Sequence, residues 1–112
     1  DVVALGYQAG KDNTVANQFI VKQANINAIP LIQGDFNSGN VGIGTTSPDT
    51  TLDVAGAITH GELSTDPSDP DEGKTVMWTS DGTGSGDDGD VMMKITAGGT
   101  TKTVTLVDFS AA

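Results

Sequence analysis

Glycine, proline and threonine break every stretch of this sequence in which apolar residues would otherwise recur at helical spacing. That leaves the strand as the regular element most of the chain can form. Residues 2–10, "VVALGYQAG", read as a short apolar strand and a turn. Residues 17–36, "NQFIVKQANINAIPLIQGDF", offer strands near 19–22 and 31–36, and Pro30 confines the second to an edge or to a strand start. Leu52 and Val54 alternate with Asp53, and Ile58 and Leu63 flank a turn at Gly61. Residues 64–73, "STDPSDPDEG", contain two Asp-Pro steps and read as a linker. Beyond it, 74–81 is a strand, 82–89 a Gly- and Asp-rich loop, and the rest a β-hairpin turning at 97–100, where Gly98 and Gly99 accommodate positive φ. In its second arm Thr101, Thr103 and Thr105 share one face, and Lys102, Val104 and Leu106 the other.

Strands alone do not make a stable domain, and this chain has little to pack them with. Its 112 residues include one Trp, one Tyr, three Phe and no Cys. Small domains usually need a disulfide, a structural metal or an oligomer interface. Without cysteine, and with a single histidine, the first two are excluded in their common forms. Oligomerisation remains. Three copies wound around an axis would cover one another's strands, with small side chains nearest the axis. "GNVGIGTTSP", residues 39–48, suits that arrangement. Gly42 and Gly44 would allow close backbone approach, Ile43 between them would pack near the axis, and residues 45–48 would turn the chain.

A net charge of −10, with five lysines and no arginine, excludes a phosphate-binding surface, so nucleic acid is not an expected partner. No run of about 18 apolar residues exists, so membrane insertion is not expected either. The chain starts at Asp1 without Met, which reads as a fragment or a processed product.

Three motifs carry a resemblance. "NVGIGTTSPDTTLDVAGAI", residues 40–58, resembles a segment that recurs in phage tail fibres and related trimeric fibre proteins. "ALGYQAG", residues 4–10, looks like one copy of the repeat that builds β-roll heads in trimeric autotransporter adhesins. Residues 73–112 look like a tip module that ends such fibres. The resemblance implies an all-β, homotrimeric, intertwined fibre, a triple-β prism or β-helix shaft, ending in a small β-sandwich-like tip. Residues 1–16 would end an upstream head, 17–66 would form the shaft and 67–112 the tip. It implies a virion tail fibre, extracellular and non-enzymatic. Its partners would be two further copies, a host cell-surface glycan or protein receptor, and an upstream fibre or baseplate protein. A purely structural trimerisation cap and a bacterial trimeric adhesin head are the alternatives. The head repeat occurs once, so a whole β-roll head does not fit within the chain.

Candidate sites follow from residue chemistry. Asp81, Asp87, Asp88 and Asp90 offer hard oxygen ligands to Ca²⁺, although position twelve of an EF-hand alignment is Met92 and no helices flank the loop. A solvated Gly/Asp turn is the plainer reading. His60 is a lone histidine, read as a surface turn residue; three symmetry copies would be needed to hold an axial metal ion. No cofactor is required. Trp78 shares a strand face with Val76 and reads as core or trimer interface rather than as a ligand platform. "GIGTT" lacks the Gly-Lys-Ser/Thr ending of a phosphate loop. The expected receptor contacts lie on the two loops of the tip: Asp81, Thr83, Ser85, Asp87 and Asp88 on one, Gly98 and Gly99 on the other.

Overall fold

The computed structural model describes residues 1–23 and 29–110. Residues 24–28, within the expected shaft, and the last two of the Ser-Ala-Ala tail lie outside the described residues. The described residues form nine strands and no helix. They are β1 (Val2–Leu5), β2 (Gln18–Val21), β3 (Ile32–Asp35), β4 (Asn40–Ile43), β5 (Leu52–Val54), β6 (Glu62–Leu63), β7 (Thr75–Asp81), β8 (Asp88–Ala97) and β9 (Thr100–Val107). The chain divides into two compact units, Asp1–Ile58 and Thr59–Ala112, each built on one open sheet. Residues 1–16 and the first part of the expected shaft thus share a sheet, and Leu63 belongs to the second unit.

The first sheet runs β1-β2-β3-β4-β5 in chain order, with β1–β2 and β4–β5 parallel and the inner pairs antiparallel. Pro30 is buried immediately before β3, where its missing N–H removes nothing from the ladder, and the Leu31 N–H bonds the Val21 carbonyl. Pro30 therefore marks a strand start, and the strand it precedes is central rather than an edge.

Register decides what each face carries. Val3 lies opposite Phe19, Phe19 opposite Gly34, Gly34 opposite Val41, and Val41 opposite Leu52. Two residues along, Leu5, Val21, Ile32, Ile43 and Val54 form a second row on the same face. This face is apolar across all five strands and largely open: Leu5 is 54% exposed, Val41 37% and Leu52 60%. The other face carries Ala4, Gln18, Ile20, Gln33, Asp35, Asn40 and Gly42. It is roofed by the chain's own connections, because parallel neighbours cannot be joined by a tight turn and their links must cross the sheet. The β1–β2 link buries Ala9 and lays Gly10 against Ala4, and Ile20 is buried beneath this side.

The second sheet runs β6-β7-β8-β9, with β6–β7 parallel and the rest antiparallel. Ala97 pairs with Thr100 across Gly98 and Gly99, whose φ values of +61° and +75° make the two-residue hairpin expected there. Trp78 lies opposite Met92, and Met92 opposite Thr105; the Trp78–Met92 pair is the buried apolar centre of this unit. Thr101, Thr103 and Thr105 share that face, as the alternation predicts. The reverse face carries Met77, Val91, Met93, Ile95 and Val104 and is again open, with Met77 42% exposed. This is a single sheet, so the expectation of a sandwich is corrected: one chain supplies one layer here.

A second correction concerns residues 64–73. They are not a free linker but a strap on the Trp78 face. Lys94, on that face, donates from Nζ to the Pro67 carbonyl at 2.7 Å and pairs with Asp69 at 3.0 Å, its side chain only 13% exposed. The strap is closed at its far end by Gly73 N–H to the Thr96 carbonyl and Thr96 N–H to the Lys74 carbonyl.

Trp78 at 2% exposure is the largest side chain in the small core of this unit. Trp78→Ala is expected to destabilise the unit by about 3–5 kcal/mol, read as a lowered denaturant midpoint followed by circular dichroism.

Candidate functional site

The tip loops expected to meet a partner are built around carboxylates that bind the chain's own backbone. Ser80 is buried at the end of β7, and its hydroxyl donates to the Gly86 carbonyl and accepts from the Gly82 N–H. Asp81 Oδ1 accepts from the Thr83 N–H, an Asx turn that opens the loop. Asp66, from the strap, holds the loop's middle. Its Oδ1 accepts from the Ser85 N–H at 2.9 Å and its Oδ2 from the Ser85 hydroxyl at 2.5 Å. Those two bonds, with a smaller attraction to Lys94, hold the Asp66 carboxyl below its ordinary value of 3.8 against a modest opposing effect of burial. Asp90 anchors the loop's end. It is 3% exposed; Oδ2 accepts from the Asp87 N–H and Oδ1 from the Phe109 N–H, each at 2.9 Å.

This changes what Asp90 can do. Both its oxygens are engaged by backbone donors, and it joins the acidic loop to the segment after β9. Those two bonds, with 3% exposure, turn the carboxylate toward the chain's own backbone rather than toward solvent. Among the described residues, no three His, Cys, Asp or Glu side chains are grouped as a metal site would require. Asp81 and Asp88 pair across β7 and β8, while Asp87 and Asp88 are exposed on the loop's outer side. His60 is exposed, two residues before β6.

The β8–β9 turn is held in the same manner. Glu72 accepts from the Gly98 N–H at 2.5 Å and from the Gly99 N–H at 3.1 Å, a two-point grip on both turn donors. Gly98 and Gly99 are exposed, yet their N–H groups are already used. On the acidic loop, Thr83, Asp87 and Asp88 are exposed and Ser85 half-buried. Asp66 and Glu72 went unrecognised as site-shaping residues because the Asp-Pro steps read as a linker. The signal available was the density of acceptors in that segment against a loop rich in backbone donors.

The residues expected at a trimer axis separate. Val41 and Ile43 point to the open apolar face, while Gly42 lies on the roofed side. A Cβ at Gly42 would stand 2.6 Å from the Thr45 carbonyl oxygen, so the β4–β5 connection of the same chain accounts for this glycine. Gly44 has φ +73° and makes the turn out of β4. Trp78 is core within its own unit.

No family model, curated protein or solved structure matches the chain. The likeness to fibre proteins therefore rests on its three sequence motifs.

Two outcomes test this account of the loops. Because the folded Asp66 carboxyl is held low, its contribution is complete above the unfolded value near 3.8 and is lost as pH falls through the lowered folded value. Thermal melts from about pH 6 down to about pH 2.5 should show Asp66→Asn less stable at the upper end and declining less steeply than the parent. Asp90→Ala strands two backbone donors and is expected to cost about 2 kcal/mol or more, with the same loss in EDTA and in millimolar Ca²⁺.

Proposed function

We propose that this chain is part of a homotrimeric, non-enzymatic viral fibre, with its first unit in the intertwined shaft and its second at the tip that meets the host surface. The observation that carries the reading is the open apolar face on each of the two sheets. A sheet normally buries one face against another layer. Among the described residues, the connections of the first sheet cover its more polar face and the strap of the second covers the Trp78–Met92 face, and in both the other face, rich in Val, Ile, Leu and Met, is left partly exposed. A large side chain taken from full exposure to full burial gains about 1.5–3 kcal/mol, these partly exposed ones a fraction of that each, and further copies of the chain are the occupant the fibre motifs point to. Contiguous apolar patches of this kind mark interaction surfaces.

Attachment then falls to the exposed outer side of the acidic loop, with Thr83, Asp87 and Asp88 presented three times around one axis to a glycan or protein receptor. An upstream fibre or baseplate protein would hold the other end. A second reading, a trimerisation cap that binds nothing, is favoured by one observation: Asp66, Glu72 and Asp90 spend their acceptors on the tip's own backbone.

Light scattering on the purified chain should give about three times the 11.4 kDa chain mass. Val41→Lys and Leu52→Lys, each placing a charge on the open face, should shift that mass to single chains, and Asp88→Asn should not. A parent chain that is monomeric at micromolar concentration sinks the proposal. Deleting residues 73–112 separates the two readings: trimers that no longer adhere to host cells identify the tip as the binder, and loss of trimers identifies a cap.

A further inference from the structure

The first unit has a cleft on its roofed face. On this one face, the β1–β2 connection covers the β1 end, where Ala9 is buried and Gly10 meets Ala4, and the β4–β5 connection covers the β4 end, where Thr45 packs on Gly42. Between the two roofs, the central strands β2 and β3 are left as the floor of a cavity of about 530 Å³. Gln18, Gln33 and Asp35 form that floor, and Ser47, Pro48 and Asp49 are prominent in its wall. The volume falls within the ~300–1,000 Å³ of ligand pockets.

The floor is polar where a sheet roofed by its own loops would ordinarily be apolar. Gln18 is 6% exposed, and its Oε1 accepts from Gln33 Nε2 at 2.6 Å. The Gln18 Nε2 group has one contact, to the Ala16 carbonyl at 3.5 Å, the outer limit of a hydrogen bond. A buried amide with donor capacity to spare thus lines the cavity, beside a second amide fixed by the first. Asp35 is partly engaged, accepting from the Asn37 N–H and the Ser38 hydroxyl. Amide, hydroxyl and carboxylate groups together offer donors and acceptors at several points, and the Pro48 ring adds an apolar surface. No lysine lines the cavity, and two carboxylates do, on a chain of net charge −10. An anionic ligand would be repelled, whereas carboxylates accept strongly from hydroxyl groups.

We infer that this cleft binds a neutral, hydroxyl-rich ligand of one or two rings, that is, a neutral saccharide. The inference goes beyond the attachment reading: it adds a separate sugar site on the first unit, apart from the acidic loop of the second, and the binding uses residues of one chain. A monomer that binds sugar would overturn the trimer and leave the cleft standing; a trimer that binds none would do the reverse.

The test uses the full chain labelled with ¹⁵N and titrated with millimolar glucose, galactose, mannose and N-acetylglucosamine, with N-acetylneuraminic acid as the anionic comparison. At least one neutral sugar should shift the side-chain amide signals of Gln18 and Gln33. Ser47→Ala and Asp49→Asn, both on an exposed connection, should each weaken that binding by about fivefold while leaving the backbone spectrum folded. Asp71→Asn in the other unit should leave it unchanged. The inference is overturned if no neutral sugar moves the two glutamine signals, if both cleft variants bind as the parent does, or if the anionic sugar binds as well as the neutral ones.

Discussion

Each sheet in this chain can bury only what its own connections reach. A strand joined in parallel to its neighbour needs a link that crosses the sheet, and the β1–β2 and β4–β5 links both cross the same side of the first sheet. The second sheet is covered on one side by residues 64–73, held by Lys94 and Glu72. Everything else in the two units follows from this one-sided cover. The roofed faces tolerate Gln18 and Gln33 because the two amides bond each other, and Lys94 because the strap brings it the Pro67 carbonyl and Asp69. The opposite faces are rich in Val, Ile, Leu and Met, with Phe19 on the first and Lys102 on the second, and among the described residues they are left partly exposed.

Much of the strand pattern was legible in the sequence. Alternation in "NVGI" and "TLDV" marked β4 and β5, and the Gly98-Gly99 pair marked the hairpin, because a two-residue turn demands positive φ at both positions and those residues supply it. The direction of pairing was not legible. Nothing in "VVAL" or "QFIV" says that they lie parallel, since both orientations present the same alternation of side chains. Pro30 allows an edge or a strand start, and standing two residues ahead of Ile32 it takes the second, which the residue alone does not decide.

The acidic residues were the least legible feature. Asp81, Asp87, Asp88 and Asp90 are alike in sequence, yet only Asp90 is buried, and it is the one tied to two separate backbone donors. Burial of a carboxylate depends on donors that arrive from elsewhere in the chain, here the Phe109 N–H nineteen residues away. Gly42 misled in the opposite sense. Its lack of a side chain suggested crowding between chains, while the crowding atom is Thr45, three residues on.

The Glu72 grip on the β8–β9 turn bears on the order of folding. Ala97 and Thr100 close over two residues, among the fastest of long-lived contacts a chain can make, and β7 then adds as a neighbouring antiparallel strand. The parallel pairs of the first sheet must wait for longer loops to close. Glu72 ties the hairpin to the strap that leads into β7, so the turn is fastened by the segment that precedes the β7–β8 ladder. The second unit thereby contains a local hairpin, fastened by Glu72, from which its sheet can grow without any long loop closing first.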